Sequence, residues 1–342
     1  MTEVGLIARA DNRGLGQQTW GFYRHMRPAK TLVIDCPSKQ PLKLHLDRFP
    51  DAKTVKAITP AIVEDFCDGL DVIWTAETGY SKNLWREADK AGVATVLHAN
   101  YEFWEPTDTP TKLVAASIWH LGDYPPGTQY LPVPIETDRF PEREPAKTAK
   151  RFLHVVGRPA IHDRNGTLDL LLALQHVETP IEVTITCQQP GYVGSLINTH
   201  SIRIPSRVTM RVESVDALHY WTKYEHQDAL ILPRRFGGLC LPAQEAIGAA
   251  LPVVMPNIEP NGWLHPDWLV KATKAGDFQA KQPVTYYRTD PQLLAQVMDR
   301  LATDEHFYAD SVAYALRQRD ALSWNNQTTA YELCLTSASS RI

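Results

Sequence analysis

The sequence lacks the features that would assign it to a special class of protein. Of its 342 residues, 44% are hydrophobic and 22% are charged, proportions that are typical of a globular protein rather than a disordered or fibrous one. Its longest apolar runs, such as 170–174, fall far short of the roughly 20 residues that a membrane-spanning helix needs. Low-complexity segments and short-period repeats are also missing. We therefore expect a globular chain without a membrane span.

Cysteine and acidic metal-binding motifs are scarce as well. The five cysteines are scattered, and no two have Cys-x-x-Cys spacing, so the pattern predicts neither a disulfide framework nor a zinc site. We interpret them as reduced, buried thiols. No Asp-x-Asp triplet occurs, and we expect no metal and no cofactor. The N-terminus begins directly on a predicted strand, so we also expect no signal peptide and a cytoplasmic location.

Excess positive charge is missing too. The formal net charge is −4, which argues against a generally basic protein that binds polyanions. One stretch, 27–56, differs locally, with seven Lys/Arg against three Asp/Glu. It is either a solvated face or a patch that meets an anionic acceptor.

Short β-rich apolar runs alternate with helical segments along the whole chain. Strands are predicted at 4–10, 31–35, 70–76, 93–98, 112–117, 151–157, 182–187, 208–212, 229–233 and 251–255. Helices are predicted at 16–26, 60–68, 81–91, 168–177, 215–225, 242–249, 291–302, 305–319 and 324–335. This alternation predicts parallel sheets in doubly wound α/β domains.

A charged, proline-containing stretch at 141–150 indicates an interdomain linker. It divides the chain into an N-terminal domain, 1–140, a C-terminal domain, 151–318, and a final helical segment, 319–342. Taken alone, this organisation fits GT-B glycosyltransferases, dehydrogenases and periplasmic-binding-type proteins.

Ligands of doubly wound sheets bind beyond the carboxyl ends of the strands, and polar segments follow several predicted strands. The loop after the first strand contains Gly14 and Gly16 and opens a helix, so backbone N–H groups there face an anion. With Asp35, it partly matches a dinucleotide fingerprint, although Thr19 replaces the third glycine. In the second domain, arginines follow two strands, and guanidinium groups bind phosphate bidentately.

The segment 234–246, Arg-Arg-Phe-Gly-Gly-Leu-Cys-Leu-Pro-Ala-Gln-Glu-Ala, resembles the signature of retaining glycosyltransferases of family 4, Glu-Gly-Phe-Gly-Leu-Pro-x-x-Glu-Ala. Glu245 matches the second glutamate of that signature, whereas Gly237 stands at the place of the first. Segments 131–140 and 322–331 resemble the family's domain crossover and its final Phe-Ser-Trp helix. The compact length and the loop at 14–19 look most like phage-encoded members.

The resemblance implies a GT-B fold, with two Rossmann-like domains facing a cleft and the final helix packing back on the first domain. It implies that Glu245 holds the ribose of the donor, Arg158 with helix N-termini the diphosphate, and His98 the sugar; His98 and Arg158 would be the catalytic residues. The implied donor-binding residues are Gly14, Gly16, Arg158, Arg164, Arg235, Gly237, Gly238, Leu241 and Glu245. The implied acceptor-side residues are Asp11, Asn12, Arg13, Tyr101 and Glu102.

The implied reaction is metal-independent transfer of a hexose, glucose being favoured, from a UDP-sugar with retention. The implied acceptor is a hydroxymethylated pyrimidine in phage DNA, or else a glycan or a small molecule. A phage-encoded enzyme would act in the host cytoplasm. A non-catalytic sugar-nucleotide-binding protein stays open, because Gly237 and Asn165 replace the family's glutamate and lysine. A nicotinamide-dependent dehydrogenase is the remaining alternative, and the sequence does not set the oligomeric state.

Overall fold

The computed structural model describes residues 2–35, 43–142, 144, 146–214 and 219–340. The chain divides into two compact units: unit 1 contains the residues up to Pro134, residues 280–282 and those from Trp324 onward, and unit 2 contains Ile135–Gln279 and Pro283–Ser323. The division falls before the 141–150 stretch, in which Ala149 is fully buried in the core of unit 2.

Unit 1 is a parallel sheet with helices on its faces. Its elements are β1 (Val4–Ala8), α1 (Gly14–Met26), β2 (Lys30–Ile34), β3 (Lys53–Val55), α2 (Pro60–Cys67), β4 (Val72–Glu77), α3 (Lys82–Lys90), β5 (Ala94–Ala99), β6 (Lys112–Ala115) and β7 (Gln129–Tyr130). The strand order is β3-β2-β1-β4-β5-β6-β7, with every pair parallel. Strands β1 and β5 are buried along their whole length, as expected of strands covered on both faces.

Unit 2 has the same architecture with a hairpin added. Its elements are β8 (Arg151–Gly157), α4 (Thr167–Leu174), β9 (Ile181–Cys187), α5 (Tyr192–Thr199), β10 (Val208–Glu213), β11 (Ala229–Ile231), α6 (Leu241–Gly248), β12 (Val253–Pro256), β13 (Leu269–Val270), β14 (Ala272–Gln279), β15 (Pro283–Thr289), α7 (Pro291–Thr303) and α8 (Glu305–Ala321). The parallel sheet has the order β10-β9-β8-β11-β12-β13, and β14 pairs antiparallel with β15.

Five short or polar features were not predicted from the sequence: β3, β7, β13, α5 and the β14–β15 hairpin. Strand β14 is mostly exposed and carries Lys274 and Asp277, so its sequence has no apolar periodicity. The helix predicted at 215–225 is corrected in part: residues 220–224 form a 3₁₀ turn, and 215–218 lie outside the described residues.

The last helix, α9 (Trp324–Ser339), completes the core of unit 1. Trp324 and Tyr331 are buried, and the Tyr331 ring lies 5.2 Å from that of Trp74 in β4. The Tyr331 hydroxyl donates to the carbonyl oxygen of Pro132 at 3.0 Å. Within the described part of the chain, no helix is long and apolar enough to cross a membrane, and four buried cysteines are free thiols; Cys36 lies outside that part.

Candidate functional site

The strand order of unit 2 reverses between β8 and β11, and two loops meet at that point. One loop, 157–166, follows β8, and the other, 232–240, follows β11. The N–H of Arg235 donates to the carbonyl oxygen of Arg164 at 2.8 Å. Gly166 permits this close approach, since a Cβ there would lie 1.9 Å from the oxygen of Pro233 and its φ is +70°. A reversal of strand order is where open α/β sheets bind ligands.

Two arginines converge on Gly237 at this point. A Cβ on Gly237 would lie 2.4 Å from Nη2 of Arg234 and 2.5 Å from Nη2 of Arg164, and the residue has a φ of +112°. Arg234 is 6% exposed, and its Nε donates to the oxygen of Phe236 at 2.9 Å. Two guanidinium groups this close repel each other, and an anion between them offsets the repulsion. This arginine pair, Arg164 and Arg234, therefore suits a phosphate or diphosphate.

The β14–β15 hairpin packs against both loops. The Phe278 ring lies 4.9 Å from that of Phe236, and Tyr286 stacks on His162 at 4.4 Å. The Arg164 guanidinium in turn lies 5.3 Å from the centre of the Phe236 ring. The aromatic contacts thus support the segment from which the arginine pair projects.

Arg235 is a correction to the predicted donor-binding residues. Its Nη2 donates to Oδ1 of Asp169 at 2.9 Å and its Nη1 to the oxygen of His162 at 3.1 Å. At 7% exposed, this guanidinium is committed to holding the two loops together, and Arg234 rather than Arg235 is the arginine that approaches Gly237 beside Arg164. Neighbouring residues of an extended segment point in opposite directions, but the sequence does not say which of two adjacent arginines points inward.

Asp169 extends this connection to the hairpin. Its fully buried carboxylate also accepts from Nη2 of Arg288 at 3.2 Å and from the N–H of Thr289 at 3.1 Å. One side chain of α4 therefore joins the loop after β11 to strand β15.

The helix terminus that follows the first loop does not offer free N–H groups. The Asp163 carboxylate accepts from the N–H groups of Thr167 and Leu168 at 3.1 and 2.8 Å, so a protein anion occupies the start of α4. Asn165, at the place of the family's lysine, donates to the oxygens of Val155 and Val156, both at 3.0 Å. Its role is to close the end of β8.

The remaining predicted residues of unit 2 surround the start of α6. This helix has no side-chain cap and no acidic residue in its first turn, so its dipole favours an anion. Gly238 is buried before it, and Leu241 is its half-buried first residue. Arg158 is exposed on the loop directly after Gly157.

Glu245 lies in α6 and contacts the 220–224 turn. Its Oε2 accepts from the Tyr224 hydroxyl at 2.5 Å and from Nζ of Lys223 at 3.2 Å. Burial and the neighbouring Glu245 raise the pKa of Tyr224 well above its usual value, so the phenol stays a neutral donor. A ribose diol would meet the other carboxylate oxygen, Oε1, or take over the contact with Lys223.

Comparison with known proteins identifies the fold. No protein-family model matches the chain, and no curated protein resembles it in sequence. Solved structures match it along its length. Sucrose-phosphate synthase from Thermosynechococcus elongatus aligns with a TM-score of 0.70 at 14% identity over 100% of both chains. A glycosyltransferase from Rickettsia africae aligns at 0.68 and 10% identity over 98% of both.

A third match is HepE from Anabaena in complex with UDP and glucose, with a TM-score of 0.67, 12% identity and coverage of 97% of this chain and 99% of that one. The chain has the GT-B fold. The predicted fold class, two parallel-sheet α/β domains, is thereby confirmed. At these identities the likeness establishes the fold and leaves the activity to be argued from the residues.

In the N-terminal half of this GT-B chain, His98 is a correction. The resemblance implies that His98 contacts the donor sugar, but this residue is 1% exposed. Its Nδ1 lies 3.1 Å from Nε2 of Gln18 and its Nε2 lies 2.8 Å from the oxygen of Leu131. Since the amide donates to Nδ1, Nε2 carries the proton and donates to Leu131. Burial lowers the pKa of this imidazole to about 4, and we interpret it as a neutral core residue.

The reason is the length of β5, which runs to Ala99. His98 is therefore inside the strand, and its ring packs 5.1 Å from that of Trp74 and 6.0 Å from that of Tyr331. The predicted strand, 93–98, ended at His98 and so placed this residue at the carboxyl end of the strand, where ligands bind.

The loop after β1 uses its polar residues to hold its own shape. Asp11 is 3% exposed, accepts from the N–H of Arg13 at 2.9 Å and pairs with Arg9 at 3.1 Å. Asn12 accepts from Nη2 of Arg48 at 2.6 Å. Gly16 is required because a Cβ would lie 2.0 Å from the oxygen of Asp11. Gly14 is the first residue of α1, whose start has no side-chain cap.

Tyr101 and Glu102 lie in the 100–104 turn that follows β5, and both are buried. Tyr101 stacks on His120 at 4.3 Å and donates to Oδ2 of Asp123 at 3.3 Å. Burial and Asp123 raise the pKa of Tyr101.

Proposed function

We propose that the protein is a glycosyltransferase that transfers a hexose from a UDP-sugar to an acceptor hydroxyl with retention. The observation that carries this proposal is the convergence of Arg164 and Arg234 on Gly237, at the reversal of strand order in unit 2. The leaving group of such a reaction is a nucleoside diphosphate, whose negative charge grows as the glycosidic bond breaks. Fixed positive charge in a partly buried place stabilises that growing charge.

The two guanidiniums would bind the diphosphate from two sides. Each can form two parallel N–H···O bonds to phosphate oxygens. The hydrogen bond from Arg234 Nε to Phe236 and the contact of Arg164 with the Phe236 ring reduce the rotational freedom that binding would otherwise remove. Arg158, exposed after Gly157, can add a third positive charge from the rim.

Glu245 supports the nucleotide half of the proposal. It lies on the helix that follows the arginine pair in sequence, and its side chain is 12% exposed. A carboxylate accepts two hydrogen bonds from a diol at once, which suits ribose. Replacing Glu245 by Ala should weaken UDP binding, whereas Lys223→Met should test whether the lysine competes with the ribose for Oε2.

The positive charge of the 27–56 stretch, which suggested DNA as the acceptor, is compensated in part. Lys53 pairs with Asp65 at 2.7 Å and Lys30 with Asp68 at 3.9 Å, while Arg48 is buried beneath the Trp20 ring. Residues 36–42 of the stretch lie outside the described residues. This pairing weakens the case for DNA, and a hydroxymethylated pyrimidine in DNA is one acceptor to test beside glycans and small molecules.

The test is calorimetric binding of UDP and UDP-glucose to the wild type, Arg164→Gln and Arg234→Gln. A hydrogen bond to a charged group contributes about 1.5–3 kcal/mol, so each variant should bind UDP about 10- to 100-fold more weakly. Arg211→Gln is the control. This arginine of β10 is 65% exposed, and its contact with Glu182 is long, at 3.8 Å. Unchanged UDP affinity in both arginine variants would refute the donor site.

Turnover separates an enzyme from a binding protein that keeps the same site. UDP-glucose incubated without an acceptor should be hydrolysed slowly, and proton NMR should show the α-anomer of glucose as the first product if configuration is retained. Tight UDP binding with no hydrolysis and no transfer would favour the non-catalytic alternative. Displacement of UDP by NADH would favour the dehydrogenase.

A further inference from the structure

The 100–104 turn of unit 1 contains two buried polar atoms that have no partner. The backbone carbonyl oxygen of Asn100 accepts from the N–H groups of Phe103 and Trp104, both at 3.0 Å, and the residue is 7% exposed. Its Nδ2 donates to Oε1 of Glu77 at 3.3 Å, which fixes the amide so that Oδ1 points away from that carboxylate. Among the described residues, nothing donates to Asn100 Oδ1 and nothing accepts from Nε1 of Trp104, which is 5% exposed.

Such atoms are costly for a protein to keep. A buried donor or acceptor without a partner destabilises the folded state by about 1–3 kcal/mol, and native proteins leave few of them. Here an acceptor and a donor lie on one turn, four residues apart. A hydroxyl group can donate to the first and accept from the second. A phosphate could serve only Trp104, and an ammonium only Asn100.

The surroundings of the turn are aromatic. The Trp104 ring lies 5.1 Å from that of Tyr124, and Tyr101 is stacked on His120. Phe103, in the middle of the turn, is 41% exposed, and Ile118 is 38% exposed. Binding sites for small molecules combine an apolar, aromatic lining with a few placed polar groups, and the C–H face of a sugar ring packs on aromatic surface.

The charge of this region is negative. Between residues 100 and 124 there are four carboxylates and one lysine, Lys112; Lys281, from another part of the chain, pairs with one of the carboxylates, Glu105, so carboxylates still outnumber lysines. Nζ of Lys112 donates to the hydroxyl oxygen of Ser337 in α9 at 2.5 Å, so this lysine is engaged outside the turn. Carboxylates accept hydrogen bonds from hydroxyls and repel phosphates. The region therefore suits a neutral, hydroxyl-rich ligand and opposes a nucleic acid.

We propose that the 100–104 turn, with Glu77 beside it, binds a neutral saccharide, and that this saccharide is the acceptor. The binding site is inferred from unit 1 alone, whereas its assignment to the acceptor rests on the proposed function. Hydroxyls of the sugar donate to Asn100 Oδ1 and accept from Trp104 Nε1, while Phe103 covers one face of the ring. The reacting hydroxyl is then one of those held here or its neighbour on the same ring.

Saturation-transfer NMR with the full-length protein tests the binding site. The probes are glucose, galactose, mannose, N-acetylglucosamine, maltose, cellobiose and trehalose. We expect at least one to bind, and titration of that sugar to show about a fivefold loss of affinity in Asn100→Ala and in Trp104→Phe, the value of one neutral hydrogen bond. Trp104→Phe removes the indole N–H and keeps an aromatic ring.

Two variants control for general damage. Trp324 is also buried and its Nε1 also lacks a partner, but it lies in α9, so Trp324→Phe should not change the sugar affinity. Asn83 lies on α3 and accepts from Arg86 at 3.0 Å, and Asn83→Ala should be equally silent. Thermal unfolding of each variant shows whether the fold is kept.

The inference is overturned if no sugar of the panel binds, or if Trp324→Phe weakens the sugar as much as Trp104→Phe does. It is also overturned if a duplex containing 5-hydroxymethylcytosine binds and Trp104→Phe weakens that binding instead. UDP affinity is measured in the same samples. Arginine-dependent UDP binding without sugar binding would sink this inference alone, and sugar binding without UDP binding would sink the proposed function alone.

Discussion

Neutralising Asp169 tests whether the candidate donor site is held in shape from behind. In Asp169→Asn the side chain keeps its size and one oxygen acceptor but loses the charge that faces two guanidiniums. The carboxylate is fully buried and accepts from Arg235 at 2.9 Å, from Arg288 at 3.2 Å and from Thr289 N at 3.1 Å. The variant therefore leaves the largely buried Arg235 with only the more distant carboxylate of Asp163, at 3.8 Å, as a counter-charge.

The size of the effect follows from this geometry. Removing one partner of a buried ion pair costs about 3–5 kcal/mol. Because the side chain of Arg288 is 46% exposed, solvent screens its share, and we expect the lower end, about 3 kcal/mol. For a unit of 150–250 residues this lowers Tm by roughly 6–12 °C. Arg235 also holds the Arg164 carbonyl, so the arginine pair loses its alignment, and UDP should bind about tenfold more weakly, equivalent to about 1.4 kcal/mol.

Asp228 provides a matched control at the other end of the same sheet. It is 1% exposed, accepts from the N–H groups of Lys150 and Arg151 at 2.9 Å and pairs with the Arg151 guanidinium at 2.9 Å. Asp228→Asn should lower Tm by a similar amount and leave UDP affinity unchanged. The measurements are differential scanning fluorimetry and calorimetric titration of UDP at a temperature where all variants are folded. Equal losses of UDP affinity in the two variants, or none in either, would refute the reasoning.

Three further outcomes are expected. Gly237→Ala should be less stable than the wild type, because the φ is +112° and a Cβ would lie 2.4 and 2.5 Å from the Nη2 atoms of Arg234 and Arg164. Gly237→Glu should in addition lose UDP affinity in titrations, since its carboxylate would pair with the two arginines. Lowering the pH from 6.5 to 4 should remove about 3 kcal/mol from the unfolding free energy of unit 1 on account of His98. In that window the unfolded imidazole becomes protonated, whereas the folded one, with a pKa of about 4, stays neutral. Urea unfolding of His98→Gln should lack this part of the pH dependence. Transfer from UDP-glucose should be unaffected by EDTA, and restoration of lost activity by Mn²⁺ would contradict the metal-independent mechanism.

Elements with strong apolar patterns could be predicted from the sequence to within a few residues. Strand β8 occupies the predicted 151–157, and α7, predicted at 291–302, ends one residue later. The β14–β15 hairpin could not be predicted, because its residues are mostly exposed and its strands are held by pairing and by aromatic contacts with distant loops. Those contacts have no local signal in the chain.

The candidate site shows the same limit at the level of single residues. The sequence draws attention to the arginines after β8 and β11, but the contacts of Arg234 and Arg235 depend on which side chain meets Asp169. The interpretation of His98 met a related limit: the strand runs one residue beyond the predicted end, and the ring lies in the core. The orientation of a polar side chain at a strand end is decided by tertiary neighbours such as Gln18, which lies 80 positions away.

The glycine at position 237 and the arginine pair are best understood together. A carboxylate at this position would lie within an ion-pair distance of both guanidiniums and cancel much of their charge. Glycine does the opposite: it has no side chain to neutralise them, and its positive φ lets the backbone pass between them. Both guanidiniums then lie beside this position, an arrangement that suits a doubly charged leaving group. A glycine rather than a carboxylate thus accompanies Arg164 and Arg234 here, and under the proposed function we expect the donor to be bound mainly through its diphosphate.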